Sequence, residues 1–177
     1  LNKGGISNNF KIDRIGLKFD QNTGVATWAG DMMEIIAVPS TSNREEIEGF
    51  LAHKWGIQGD LNAGHTYASS APVSWSPSDV SPTLWLDASD ASSIELVTHW
   101  LDKSGQQRTA GAFGSPNLEI STPSGSNTMH YDGGDYHVFP NISNIRTVFW
   151  VVSQDVGVTP NFRFLLGGSN SFYFHND

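Results

Sequence analysis

Arg146-Thr147-Val148-Phe149-Trp150-Val151-Val152-Ser153 is the most strongly β-forming stretch of the chain. Branched and aromatic side chains keep their preferred rotamers on an extended backbone and pack well on a pleated surface. Its apolar part, Val148 to Val152, is far short of the roughly 20 residues that cross a bilayer. Similar runs recur at short intervals. Met32-Met33-Glu34-Ile35-Ile36-Ala37-Val38 ends at Pro39 and reads as a strand buried on both faces. Leu84 to Leu86, Val97 to Leu101, Thr128 to Tyr131, Tyr136 to Phe139, Phe162 to Leu166 and Ser171 to Phe174 read as further strands. Turn residues separate them: Asn22-Thr23-Gly24, Asp87-Ala88-Ser89-Asp90, Asp132-Gly133-Gly134-Asp135 and Gly167-Gly168-Ser169-Asn170. Many short strands of this kind predict an all-β, antiparallel, jelly-roll-like β-sandwich.

One helix is expected, over about 43–55. Ser42-Asn43-Arg44-Glu45 has the capping-box pattern, and Ile47, Phe50, Leu51 and Trp55 follow as one apolar stripe, with Gly56 placed for a left-handed cap. The helix is therefore amphipathic and laid against a sheet. Residues 56–82, rich in Gly, Pro, Ser and Asn, read as an ordered tail running into a linker at 68–82.

Composition removes several functions. The chain has 177 residues, with 10 Lys+Arg against 18 Asp+Glu and a net charge of −8. A phosphate-binding face needs clustered basic residues, and these are scattered, so no nucleic-acid partner is expected. There are no cysteines, hence no disulfides, thiolate metal sites or cysteine nucleophile. No apolar run is long enough for membrane insertion. The opening Leu1-Asn2-Lys3-Gly4-Gly5 lacks an initiator Met, and a start further upstream is expected.

Trp28 to Ile36, followed by Arg44-Glu45-Glu46-Ile47-Glu48-Gly49-Phe50-Leu51-Ala52-His53-Lys54-Trp55-Gly56 and the tail Leu61 to Tyr67, resembles the close of a concanavalin A-like (laminin G-like) domain. Leu84-Trp85-Leu86-Asp87-Ala88-Ser89-Asp90, Trp100-Leu101-Asp102-Lys103-Ser104-Gly105 and Tyr131 to Tyr136 resemble the opening of the same kind of domain. The close thus precedes the opening. The expected organisation is the C-terminal part of one sandwich at 1–67, a linker at 68–82, and the N-terminal part of a second at 83–177, a window on tandem repeats. The alternative is one permuted domain whose complementary parts share a sandwich. The resemblance implies a bacterial surface or phage structural protein.

Related glucanases place three carboxylates on one strand, in a pattern resembling Glu-x-Asp-x-x-Glu, to aim acid and nucleophile at one bond. No segment here carries it. Glu34 is the one acid inside its strand, and Asp31, three residues back, is expected on the opposite face. There is no Gly-x-Ser-x-Gly elbow and no phosphate-cradling loop, and the six histidines lack a zinc spacing. The chain is expected not to be an enzyme. Calcium is a candidate cofactor, with Asp87, Asp90 and Asp102 as ligands, although Asp also serves turns through its own hydrogen bonds. Some laminin G-like domains bind calcium, which favours the reading by resemblance.

A sugar ring stacks on an exposed aromatic while nearby polar groups bond its hydroxyls. Tyr131, Asp132, Asp135, Tyr136 and His137 form the best such constellation, and Trp75 is a second exposed-ring candidate. Trp28, Trp55, Trp85, Trp100 and Trp150 are expected in the core. The expected function is a non-catalytic, surface-displayed carbohydrate-binding or adhesion module, extracellular or on a virion. The alternative is a structural virion decoration or fibre subunit whose partners are other protein subunits.

Overall fold

The computed structural model describes residues 11–20, 24–95, 98–120, 125–157, 163–168 and 174–176. Four strands precede the helix: β1 (Ile12–Ile15), β2 (Leu17–Asp20), β3 (Gly24–Thr27) and β4 (Ala29–Val38). Helix α1 (Arg44–Trp55) follows. Then come β5 (Leu84–Asp87), β6 (Ile94–Glu95), β7 (His99–Trp100), β8 (Ala110–Phe113), β9 (Asn117–Ile120), β10 (Asn127–Asp132), β11 (Tyr136–Ile142), β12 (Thr147–Gln154), β13 (Arg163–Gly167) and β14 (Phe174–Asn176). The larger sheet runs β14-β13-β1-β11-β8-β7-β6 and the smaller β12-β4-β10-β9, with β5 also on β4 and β2-β3 as a separate ribbon. The strand pairings among the described residues are all antiparallel, so the chain is an all-β sandwich with one α-helix among the described residues. The expected turn at 22–23, Val97, Phe162 and the segment from Ser169 to Tyr173 lie outside the described residues.

The expected doubly buried strand is β4, at the centre of the smaller sheet. One edge pairs with β12 from Gly30 to Val38; the other is shared, with β10 on Ala29 to Met32 and β5 on Glu34 to Ala37. Where the shared edge changes partner, Val151 opposes Glu34 and Val152 opposes Met32, so Met33 is the extra residue of a β-bulge. Met32, Ile35 and Ala37 join the core between the sheets, with Ile12, Ile15, Trp28, Trp100, Met129 and Phe139. Ile36 and Val38 face the other way, against Ile47, Leu51 and Trp55 of α1. The bulge also overturns one expectation: by resetting the period of two, it turns Asp31 to the same outer face as Glu34.

The helix starts by a different device from the one expected. Asn43 is the cap residue, at φ 62°, and makes no side-chain capping bond. Ser42 lies outside the helix, its N–H donating to Ser40 Oγ at 3.0 Å, and Glu45 accepts the Thr66 hydroxyl instead. The Ser42/Glu45 capping box is therefore not formed. Gly56, at φ 74°, is the expected left-handed end.

Strands of 1–67 and of 83–177 alternate within both sheets: β1 lies between β11 and β13, and β4 among β12, β10 and β5. The two parts share one sandwich. The connecting residues 68–82 are packed as well as connecting. Pro77 is buried, Ser76 N–H donates to Asp79 Oδ2 at 2.8 Å in a capping box, and Trp75 lies 5.5 Å from the Phe50 ring. Trp75 is thus half-buried against α1 rather than a free ring.

Candidate functional site

Alternation along β11 divides the carbohydrate constellation that the sequence suggests. His137 and Phe139 point into the core, while Tyr136 and Val138 point out from the larger sheet. Tyr131 and His137 are both fully buried, with the Tyr131 hydroxyl 2.7 Å from His137 Nδ1. Burial, with His99 adding to it, pushes the His137 imidazole down to about 4, and burial raises the Tyr131 phenol. Asp135 is buried and holds the turn, accepting Ser115 N–H at 2.7 Å and Asp132 N–H at 3.2 Å. Asp132 is exposed and accepts Gly134 N–H at 2.7 Å. Of the five residues, Tyr136 alone puts an aromatic ring on the outer face.

The structure gives Tyr136 a partner that the sequence did not suggest. Phe113 of β8 pairs with Tyr136 across the strands, and the rings stack at 4.8 Å with planes 4° apart. Phe113 is 51% exposed, an unusual position for so large an apolar ring. The next row across this face is Arg14, Val138, Gly111 and His99, on β1, β11, β8 and β7. Gly111 leaves its floor open: a Cβ there would meet nothing closer than 3.9 Å. The result is an aromatic pair beside a bare strip, bordered by an imidazole and a guanidinium. Such a surface can take a flat ligand with one apolar face and hydroxyls at its rim.

The smaller sheet's outer face is different. Glu34 is fully buried beneath α1 and accepts from Lys54 Nζ at 2.7 Å, Trp55 Nε1 at 2.8 Å and Trp85 Nε1 at 2.7 Å. Asp87 stands opposite it on β5, and Lys54 bridges both carboxylates, 2.7 Å from Asp87 Oδ1. Lys103 continues the chain of charges, 2.9 Å from Asp87 and 2.7 Å from Asp90. Burial raises the Glu34 carboxyl above its ordinary value, with Lys54 pulling against it. Burial would raise Asp87 too, but Lys54, Lys103 and Ser89 outweigh it and hold that carboxyl low. Lys103 occupies the place between Asp87 and Asp90 that the calcium expectation gives to an ion. Asp102, the third expected ligand, accepts the N–H groups of Trp85, Ser104 and Arg108 at 2.9–3.0 Å and so ties a turn.

Asp31, Glu119 and His130 bring ligand atoms within 4.8 Å of one another on β4, β9 and β10, and could hold a metal ion. Without one, His130 Nδ1 lies 3.1 Å from Asp31 Oδ1, which also accepts the Thr128 hydroxyl. Glu119 and His130 come from successive strands but Asp31 lies 99 residues before His130, so no spacing motif announces the group. A depression of about 330 Å³ lies at the exposed end of α1, lined by Arg44, Glu45, Glu48, Asn62, Gly64 and His65, and is separate from the aromatic pair. No family model matches the sequence, and neither a curated protein nor a solved structure is significantly similar to it.

Proposed function

We propose that the chain is a non-catalytic carbohydrate-binding module of a surface-displayed protein, one that takes a saccharide on the open face of the larger sheet. The single observation that carries this reading is the half-exposed Phe113 ring stacked on Tyr136 beside the open floor at Gly111. Stacking of a pyranose on such a ring recovers apolar area, and a stacked aromatic brace keeps the ring from folding over the strip. His99 and Arg14 stand in the neighbouring row, where hydroxyl groups of a sugar on Gly111 would fall. Asp135, Glu34 and Asp87 are engaged in a turn and in ion pairs, an arrangement for structure more than for bond cleavage. Fold alone does not select the ligand; the face does. The resemblance to concanavalin A-like domains supports the display setting, on a bacterial cell or a phage virion.

A glycan array tests the reading, run with calcium and again with chelator. Binding that disappears in both Tyr136→Ala and Phe113→Ala is the expected result, and its loss under chelator alone would add a calcium site. A blank array with the folded chain moves the reading to a structural virion subunit that contacts other protein subunits.

A further inference from the structure

We infer that Lys54 and Asp87 are joined by an intramolecular amide cross-link, which the folded chain forms on itself with Glu34 as the proton relay. Lys54 Nζ lies 2.7 Å from Asp87 Oδ1 and 2.7 Å from Glu34 Oε2. The side chains of Glu34 and Asp87 are 0% and 4% exposed, and that of Lys54 21%. Nucleophile, electrophile and base are thus already in contact, and proximity of this kind replaces a bimolecular encounter.

The surrounding groups suit the reaction. The Trp55 and Trp85 indole N–H groups fix Glu34, and the Trp55 and Phe50 rings lie 5.1 and 5.7 Å from Lys54 Nζ. On Asp87, Oδ1 accepts Ser89 N–H at 3.1 Å and its hydroxyl at 2.7 Å, a pair of donors where negative charge would grow. Oδ2 faces Lys103 Nζ at 2.9 Å. In the step, Glu34 relays one proton from the Lys54 ammonium to Asp87 Oδ2, turning the ion pair into a neutral amine beside a neutral carboxyl, and the amine attacks Asp87 Cγ. The C–N bond forms and charge collects on Oδ1 at Ser89. The intermediate collapses with loss of Oδ2, which leaves as water with the relayed proton and a second from the attacking nitrogen, so one amide N–H remains. Ammonium and carboxylate become amide and water; Glu34 and Lys103 end as they began, and no oxidant, reductant or cofactor is required.

Two features separate Lys54 from its neighbour. Burial lifts the Glu34 carboxyl, which makes it a better proton acceptor than an ordinary carboxylate. Lys103 is held above its ordinary value by Asp87 and Asp90 against the pull of burial, so it remains an ammonium and steadies the departing oxygen. Condensation also removes the buried Asp87 charge and the partly covered Lys54 charge, whose desolvation is costly. The product would pin α1 to β5 and close the chain between residues 54 and 87.

Intact-mass spectrometry of the purified full chain, incubated at neutral pH, tests this directly, followed by proteolysis and mapping. The expected mass is one water below the sequence sum, with a branched peptide joining Lys54 to Asp87 and full mass in Glu34→Gln. A wild-type chain at its full mass overturns the inference. So does a lost water that maps elsewhere, to a succinimide at Asp132-Gly133 or to a link through Lys103. Cross-linking in Glu34→Gln at the wild-type rate overturns the relay, and if that variant does not fold, the wild-type map decides the cross-link by itself.

Discussion

The outer faces of the two sheets are built by the same alternation and end in opposite states. On the smaller sheet, β4 sends Glu34, Ile36 and Val38 outward, and α1 lays Ile47, Leu51 and Trp55 over them. On the larger sheet, β8 and β11 send Gly111, Phe113, Tyr136 and Val138 outward; the α-helix described packs on the other side. A strand apolar on both faces announces a cover, and β4 has one. A strand that alternates a buried and a half-exposed residue announces an open face, and β11 has that pattern, Tyr136 to Phe139 reading half-buried, buried, half-buried, buried. The covered face became a place where charges can be desolvated and paired. The open face kept an aromatic ring in reach of solvent.

The largest effect tests the covered face. Compared with wild-type chain in which the Lys54–Asp87 amide has not formed, Lys54→Met leaves Glu34 and Asp87 opposite each other, buried and without their shared cation, with Lys103 still on Asp87. Breaking a buried ion network from one side costs about 3–5 kcal/mol, so urea denaturation should show a loss of that size. A loss below about 1 kcal/mol would mean that the pairing contributes no more than a surface salt bridge and that the two faces differ less than their burial suggests.

Between the faces, the buried His137 makes a pH prediction. Its imidazole titrates near 4 in the folded chain against an ordinary 6.5, so as pH falls the unfolded chain takes up the proton first. Stability from this group is complete above about pH 6.5, falls between 6.5 and 4, and levels off below. The shift corresponds to about 3 kcal/mol. Stability measured across that range should fall more steeply in the wild type than in His137→Leu; parallel curves would mean that His137 is not held neutral by the core.

How much of this was readable in the chain follows from which interactions are local. β4, the strand at 147–154 and α1 were legible because periodicity and branching are local properties. The partners of β1 were not, since its register with β11 and β13 is set by packing between distant segments. The face of Asp31 was misread because a bulge at Met33 has no composition signal. The capping box failed because Asn43 reaches the helix in a left-handed conformation, which leaves Ser42 outside. At the candidate site, Tyr136 was legible and Phe113 was not: Ala110-Gly111-Ala112 has little β propensity, and only its neighbours make it a strand. Glu34 did carry a signal, a lone acid in an apolar run, which a buried position must pair; its partners on α1 and β5 were beyond local reading.

A smaller effect concerns the edge of the cover. Gly49 on α1 lies under Tyr67 of the tail, and a Cβ at 49 would come within 2.5 Å of the Tyr67 Cβ. Gly49→Ala must push the tail off the helix, against the 2.8 Å contact between His53 Nε2 and Tyr67 O. The expected cost is about 1–3 kcal/mol, as for other overpacked contacts, with new protease cleavage near residues 61–67. An unchanged melting curve and digest would show that the tail can shift without loss.

The smallest stability effect belongs to the open face, and it separates binding from folding. Gly111 has an extended backbone free of positive φ, and a Cβ there meets only ordinary contacts, with Val138 O at 3.9 Å and the His99 ring at 4.0 Å. Gly111→Val should therefore change stability by no more than about 1 kcal/mol, and in the favourable direction, because glycine weakens a strand interior. The same branched side chain fills the strip beside Phe113, where a sugar ring would lie. Glycan binding lost in Gly111→Val with the melting temperature held or raised would locate the ligand on this face by obstruction alone. Binding retained in Gly111→Val but lost in Phe113→Ala would shift the ligand to the far side of the aromatic pair, toward the exposed Asp132 turn. Binding retained in both would remove the open face from the argument and leave the contrast between the two sheets a matter of stability only.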